Sequence, residues 1–173
     1  MESGTVTQII VMVILVIMSA FFSATETAFS SINKTRLKTM IEKGNKRAQL
    51  ALNLSEKYDR LISTILIGNN IVNITIASVG TVLFVRHFGD IGATISTAVV
   101  TVAVLIFGEI TPKSIAKDAP EKFAMFASPA IRVISWILTP LNFLFSLWRK
   151  LINKILRVEE DAKNVSGRTS NAC

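Results

Sequence analysis

Cysteine and histidine are almost missing from this 173-residue chain: Cys173 is its last residue and His87 stands alone. No disulfide framework can form, and zinc or copper, which look for thiolates and clustered imidazoles, find no ligand set. Charge is scarce as well, at 18% of residues against 50% hydrophobic. So apolar a chain has ample surface to bury, which excludes disorder. The acidic residues number 12 against 19 basic ones, a formal charge of +7. In a soluble protein that balance would suggest nucleic acid. Here the positive residues flank apolar runs, where they belong to membrane topology and lipid headgroups, so no nucleic acid is expected.

What the chain does have is length without charge. Residues 9–18 are ten apolar residues in succession, and low-charge stretches recur at 61–85 and 91–110. A helix needs about 20 such residues to cross the hydrocarbon. The expectation is an all-α integral membrane protein with spans at about 7–30, 59–85 and 91–112. The first is not a signal peptide, because Glu2 precedes it and no Lys or Arg does. Lys34, Arg36, Lys38, Lys43, Lys46, Arg47, Lys57 and Arg60 follow it, which places that segment in the cytoplasm and the amino terminus outside. Asp59 reads as the cap of the second span, and residues 86–90 as a tight outer turn holding His87 at the interface.

Two connecting regions have helical patterns of their own. Ile32, Leu37, Met40 and Ile41, then Ala48, Ala51 and Leu52, keep helical spacing either side of Gly44, which predicts a cytoplasmic helical hairpin. Within residues 121–157, the stretch 123–147 is apolar enough for a fourth span. Arg132, Pro129 and Pro140 interrupt them, and a crossing would carry Arg149, Lys150, Lys154 and Arg157 outside. They are read as broken helices forming a juxtamembrane amphipathic belt, with Trp136 and Trp148 at headgroup depth and a carboxyl terminus in the cytoplasm. Residues 1–157 then make one membrane domain, and 158–173 a polar tail or linker.

The polar residues inside the spans carry the functional signal. Ser19, Ser23, Glu26 and Ser30 form one stripe at 100° per residue. Each serine could instead bond its own helix carbonyl. The second span carries Asn69, Asn70 and Asn73, hard neutral oxygen ligands or else interhelical hydrogen-bond partners. In the third, Pro112 lacks an N–H and its ring clashes with the carbonyl of Gly108, beside the carboxylate of Glu109. That is either a broken-helix cation site or a packing kink. Glu26 and Glu109 have no Lys or Arg within the apolar part of their own helices, so a bound cation or proton could be the partner of each. One carboxylate with neutral oxygens suits Na⁺ or Mg²⁺.

Residues 21–30, Phe-Phe-Ser-Ala-Thr-Glu-Thr-Ala-Phe-Ser, then Gly68-Asn69-Asn70, then Gly108-Glu109-Ile110-Thr111-Pro112-Lys113, resemble the transmembrane domain of the CorC/CNNM (cyclin M) family. The resemblance implies a homodimer in the cell membrane with three transmembrane helices per subunit. It implies outward Mg²⁺ transport driven by Na⁺ moving inward. The implied ion ligands are Ser23, Asn69, Asn70, Asn73, the Gly108 carbonyl and Glu109, with Ser19, Glu26 and Pro112 in pathway or structural roles. Family members usually continue into cytoplasmic CBS modules that bind ATP, which this sequence does not contain. The rival readings are a membrane scaffold or Mg²⁺ sensor without transport, and a pore that leaks large solutes. An intramembrane enzyme ranks last for want of a catalytic His or Cys.

Overall fold

A computed structural model describes residues 3–141 together with 147, 148 and 152, and among these every regular element is helical. Helix α1 (Ser3–Ser31) is followed by two short helices, α2 (Lys34–Glu42) and α3 (Lys46–Glu56). Then come the long α4 (Tyr58–Phe88), a single 3-10 turn (Gly89–Ile91) and α5 (Gly92–Ala103). A π-helical segment (Val104–Ile110) leads without interruption into α6 (Thr111–Asp118), and α7 (Pro120–Ile137) follows.

Two stretches are long and apolar enough to cross a membrane, Gly4–Ser31 and Tyr58–Asp118, and only 17% and 22% of their most apolar windows are buried. The second stretch, 61 residues, folds back on itself. Gly89 makes this possible, with φ 62 and ψ −140, a backbone conformation open to glycine and closed to residues with a Cβ. Three rods result: α1, α4, and the α5–π–α6 run. At 1.5 Å per residue α1 is about 43 Å long, more than the ~30 Å of a hydrocarbon core. Each rod turns large apolar side chains outward: Ile17 on α1, Ile74 on α4 and Phe107 on the π segment are 63%, 67% and 64% exposed. Water does not tolerate that much contiguous apolar surface, whereas lipid does.

Rod α1 runs antiparallel to α4 and parallel to the third rod. Ser30 meets Tyr58 at one end (3.1 Å between hydroxyls), while Gly4 lies near Arg86 at the other. Phe22, Leu61, Ile65, Val72, Ile76 and Val100 fill the space between the rods. Gly68 is part of this packing: a Cβ there would stand 2.5 Å from the Phe22 ring, so the ring lies directly on the α4 backbone.

The hairpin is built by two asparagines. Asn33 caps α2 by accepting from the amides of Thr35 and Arg36, and Asn45 caps α3 from those of Arg47 and Ala48. Gly44, at φ 84, reverses the chain between them. Leu37, Ala48, Ala51 and Leu52 are buried, at the spacing read from the sequence.

Two expectations, on Asp59 and Pro129, are corrected here. Asp59 does not cap α4: Lys57 occupies that position without a side-chain bond, and Asp59 sits in the first turn, where its charge suits the helix dipole. The helix of the third rod runs on past Pro112 to Asp118, since Pro112 falls in the first turn of α6, where a missing N–H is tolerated. Helix α7 is unbroken across Pro129. Its buried face of Ala124, Ala127, Ser128 and Ile131 holds both sides of the proline in place, and the ring projects from the exposed face. The same face fixes α7 by its start: Glu121, 5% exposed, receives Arg36 at 3.4 Å and the backbone amide of Asn33 at 3.4 Å.

The chain divides into two compact units, 1–135 and 136–173. In the second, the helix is interrupted at Leu138, just before Pro140, and resumes at Thr139. Trp136 and Trp148 are exposed. The amphipathic face expected over 149–157 and the polar tail of 158–173 lie outside the described residues, apart from Ile152, which is helical and exposed.

Candidate cation site

Most hydroxyls in the rods satisfy themselves. Thr25, Ser30, Ser63, Thr75, Ser78 and Thr97 each donate to the carbonyl four residues back, at 2.6–2.9 Å. Ser30 thereby leaves the polar stripe to which its spacing assigned it. Ser19 and Ser23 behave differently. Ser19 is fully buried, and its hydroxyl reaches across to α4, 2.7 Å from Asn73 Oδ1 and 3.2 Å from Asn69 Oδ1. Ser23, one turn further along α1, is 1% exposed, and its Oγ has no hydrogen-bond partner. An orphaned buried hydroxyl forfeits its hydration without replacement.

A single hydroxyl proton cannot fully serve two amide oxygens. Three oxygens from two rods thus gather around one hydrogen. The third rod closes on the same point. Gly108 is buried, and a Cβ added to it would lie 3.0 Å from Ser19 Oγ and 3.4 Å from Ser19 Cβ. Glycine is what allows the backbone of the π segment to approach the serine so closely.

The π segment alters the carbonyl account given by the sequence. Thr111 N–H donates to the Ile106 carbonyl, five residues back. In that wider register the carbonyl whose donor is lost to Pro112 is that of Phe107; in the α register it is that of Gly108. The proline deprives one carbonyl of this turn of its amide in either register. Glu109, at the end of the π segment, is half-buried and takes part in no ion pair or hydrogen bond among the described residues.

The remaining expected residues fall outside this cluster. Asn70 is exposed and bonds neither serine. Glu26 has a partner that its own helix did not supply: Lys113 Nζ, from α6, lies 3.3 Å from Glu26 Oε2. The signal was in the sequence, since Lys113 closes the same motif as Glu109, but only the packing of α6 on α1 turns it into a contact. His87 donates through Nδ1 to the Leu83 carbonyl at 2.8 Å and is exposed at the far end of α4. Among the described residues no three His, Cys, Asp or Glu side chains gather as a metal cluster. The arrangement consists of neutral oxygens from α1 and α4 facing a glycine backbone, and Glu109 is the next residue after that glycine. Such a set can replace part of the hydration shell of a hard cation.

The sequence profile of the cyclin M transmembrane N-terminal domain matches residues 10–169. A UPF0053 protein of Haemophilus influenzae is 39% identical over 155 residues, covering 90% of this chain and 37% of the relative. The UPF0053 inner membrane protein YfjD of Escherichia coli is 39% identical over 152 residues, covering 88% and 35%. A polyamine export protein of Escherichia coli is 29% identical over 163 residues, covering 87% and 36%. The chain therefore spans little more than a third of the length of these relatives.

Proposed function

The chain belongs to the cyclin M transmembrane N-terminal domain family, a membrane domain with transporter-type relatives, and from that premise we propose that it moves Mg²⁺ across the membrane. The observation that carries the reading is the oxygen cluster of Ser19, Asn69 and Asn73 against Gly108, with Ser23 orphaned one turn along α1. Mg²⁺ takes six oxygens at 2.0–2.1 Å, so neighbouring ligands stand about 2.9 Å apart. The two hydrogen-bonded oxygen pairs, at 2.7 and 3.2 Å, fall either side of that spacing. Ser23 Oγ, the Glu109 carboxylate and a carbonyl of the Gly108 turn are the further ligands, with retained water filling the shell.

In this reading the three rods are three crossings, the amino terminus lies outside, the basic hairpin is cytoplasmic, and the active form is a homodimer. The belt after α6 lies along the inner leaflet. Mg²⁺ arrives from the side of Glu26 and Lys113, whose ion pair is partly exposed. Na⁺ moving inward drives export, since one charge gains about 2.3 kcal/mol per 100 mV. CBS modules would follow this domain in a longer protein.

A second reading follows from the relative that exports polyamines. An alkylammonium group is also a hard donor that hydroxyl and amide oxygens accept, so an organic polycation could use the same layer. Flux into liposomes separates the possibilities. Mg²⁺ transport that quickens under an opposing Na⁺ gradient supports the exporter. Spermidine flux without Mg²⁺ flux replaces it with the polyamine reading. Absence of both leaves the scaffold or sensor.

A further inference from the structure

Glu26 and Lys113 have no place among the ligands proposed above, yet they are the charged residues nearest to them in sequence. Glu26 follows Ser19 by two turns on α1, and Lys113 follows Gly108 by five residues on the third rod. Their ion pair is open to exchange, with side chains 30% and 39% exposed. Lys113 also lies four residues after Glu109. Residues so spaced share one side of the rod, and glutamate ahead of lysine is the favourable order. One ammonium therefore has two carboxylates within its range, one across the helix interface and one on its own rod. It stands on Glu26, while Glu109 has neither ion pair nor hydrogen bond among the described residues.

We propose that Lys113 is a tethered cation shared between Glu26 and Glu109, a positioning residue that alternates with the transported ion. Parked on Glu26, it leaves the Glu109 carboxylate to a divalent cation. Moved to Glu109, it takes that ion's place. A carboxylate in apolar surroundings is costly without a positive partner, and a swinging ammonium keeps Glu109 neutralised through the cycle. A divalent ion at Glu109 repels the ammonium towards Glu26, and its departure draws the ammonium back. The inference rests on Glu109 being a ligand of the transported ion.

The test is an Mg²⁺ titration of the full chain and of Lys113→Met, Glu26→Gln and the double variant. Lys113→Met removes the competitor and tightens binding by about two- to fivefold, while Glu26→Gln sends the ammonium to Glu109 and weakens binding by a similar factor. The double variant binds like Lys113→Met, because without the lysine Glu26 has nothing to hold. A structural clamp would instead weaken both single variants alike. A plain charge field would add, and return the double variant to the wild-type affinity. Either result overturns the shared cation. A wild-type chain that binds no Mg²⁺ would refute the ligand reading instead, and a second measurement then still decides the lysine. In chelator, Glu109→Gln should lower the unfolding midpoint by about 1–3 °C in the Glu26→Gln background and leave it unchanged in the wild type. Equal shifts in both backgrounds overturn the proposal whatever the outcome with Mg²⁺.

Discussion

Two layers of the rod bundle, about 10 Å apart, are built from the same three rods in opposite styles. In one, Ser19, Asn69 and Asn73 turn oxygens inward beside Gly108. In the other, seven residues earlier on α1 and seven later on α4, Met12 and Gly80 meet Val100 and Ser96 of α5. A Cβ on Gly80 would stand 2.7 Å from Val100 Cγ2, 3.2 Å from Ser96 Oγ and 3.4 Å from Met12 Cε. With Ile76 fully buried alongside, this layer is packed by apolar side chains apart from the Ser96 hydroxyl. Glycine serves both layers by bringing backbones together. Its neighbours decide the chemistry: beside a serine and amides it exposes backbone to polar atoms, and beside Met and Val it makes a seal. An ion held in the first layer would have to pass the second to reach the far end of α1.

Substitutions can break this contrast. The largest effect is expected for Glu109→Gln, which should weaken Mg²⁺ binding by about 10–100-fold, the range for lost support of a metal ligand, and bring liposome flux to background. Mg²⁺ protection against heat reads it out directly. Gly80→Ala in the second layer should cost about 1–3 kcal/mol of stability through overpacking while leaving Mg²⁺ affinity unchanged. A loss of affinity there would erase the distinction between the layers. Gly108→Ala reverses the pattern. Its Cβ crowds Ser19 most, with Val104 Cγ1 at 3.4 Å, so stability should fall by less than about 1.5 kcal/mol while Mg²⁺ affinity drops. Smallest is the hydroxyl pair. Ser19→Ala should cost about 1 kcal/mol, since two amide oxygens lose their donor. Ser78→Ala, whose hydroxyl only bonds its own helix, should stay within about 0.5 kcal/mol. Equal costs for the two serines would mean that the cross-helix bond adds nothing.

Apolar run length and punctuation made the rods legible in the sequence, because a membrane helix is specified by composition over twenty residues. The hairpin was legible from the spacing of Leu37, Ala48 and Leu52 about Gly44. The polar stripe on α1 was readable too, but which of its serines would bond outward was not. Ser19 and Ser30 have the same local freedom to back-bond; Ser30 uses it and also meets Tyr58, whereas Asn69 and Asn73 on the facing rod draw Ser19 wholly outward. The Glu26–Lys113 pair was hidden for the same reason: a partner 87 positions away is set by packing, not by spacing. Proline gave mixed guidance. Pro112 marked a real irregularity, which takes the form of a π segment ahead of it and not a stop. Pro129 marked none, because tertiary burial on both sides outweighs one missing hydrogen bond.

The π segment is a store of slack. Seven residues are wound there with wider turns than the α-helices on either side. Tightening one such turn into α geometry would swivel everything downstream by up to about 100°, one residue's worth of rotation. Lys113 would then sweep around the axis of its rod without any hinge bending. Rewinding of this kind would re-aim every side chain of α6 together, the exposed Ile115 as well as Lys113.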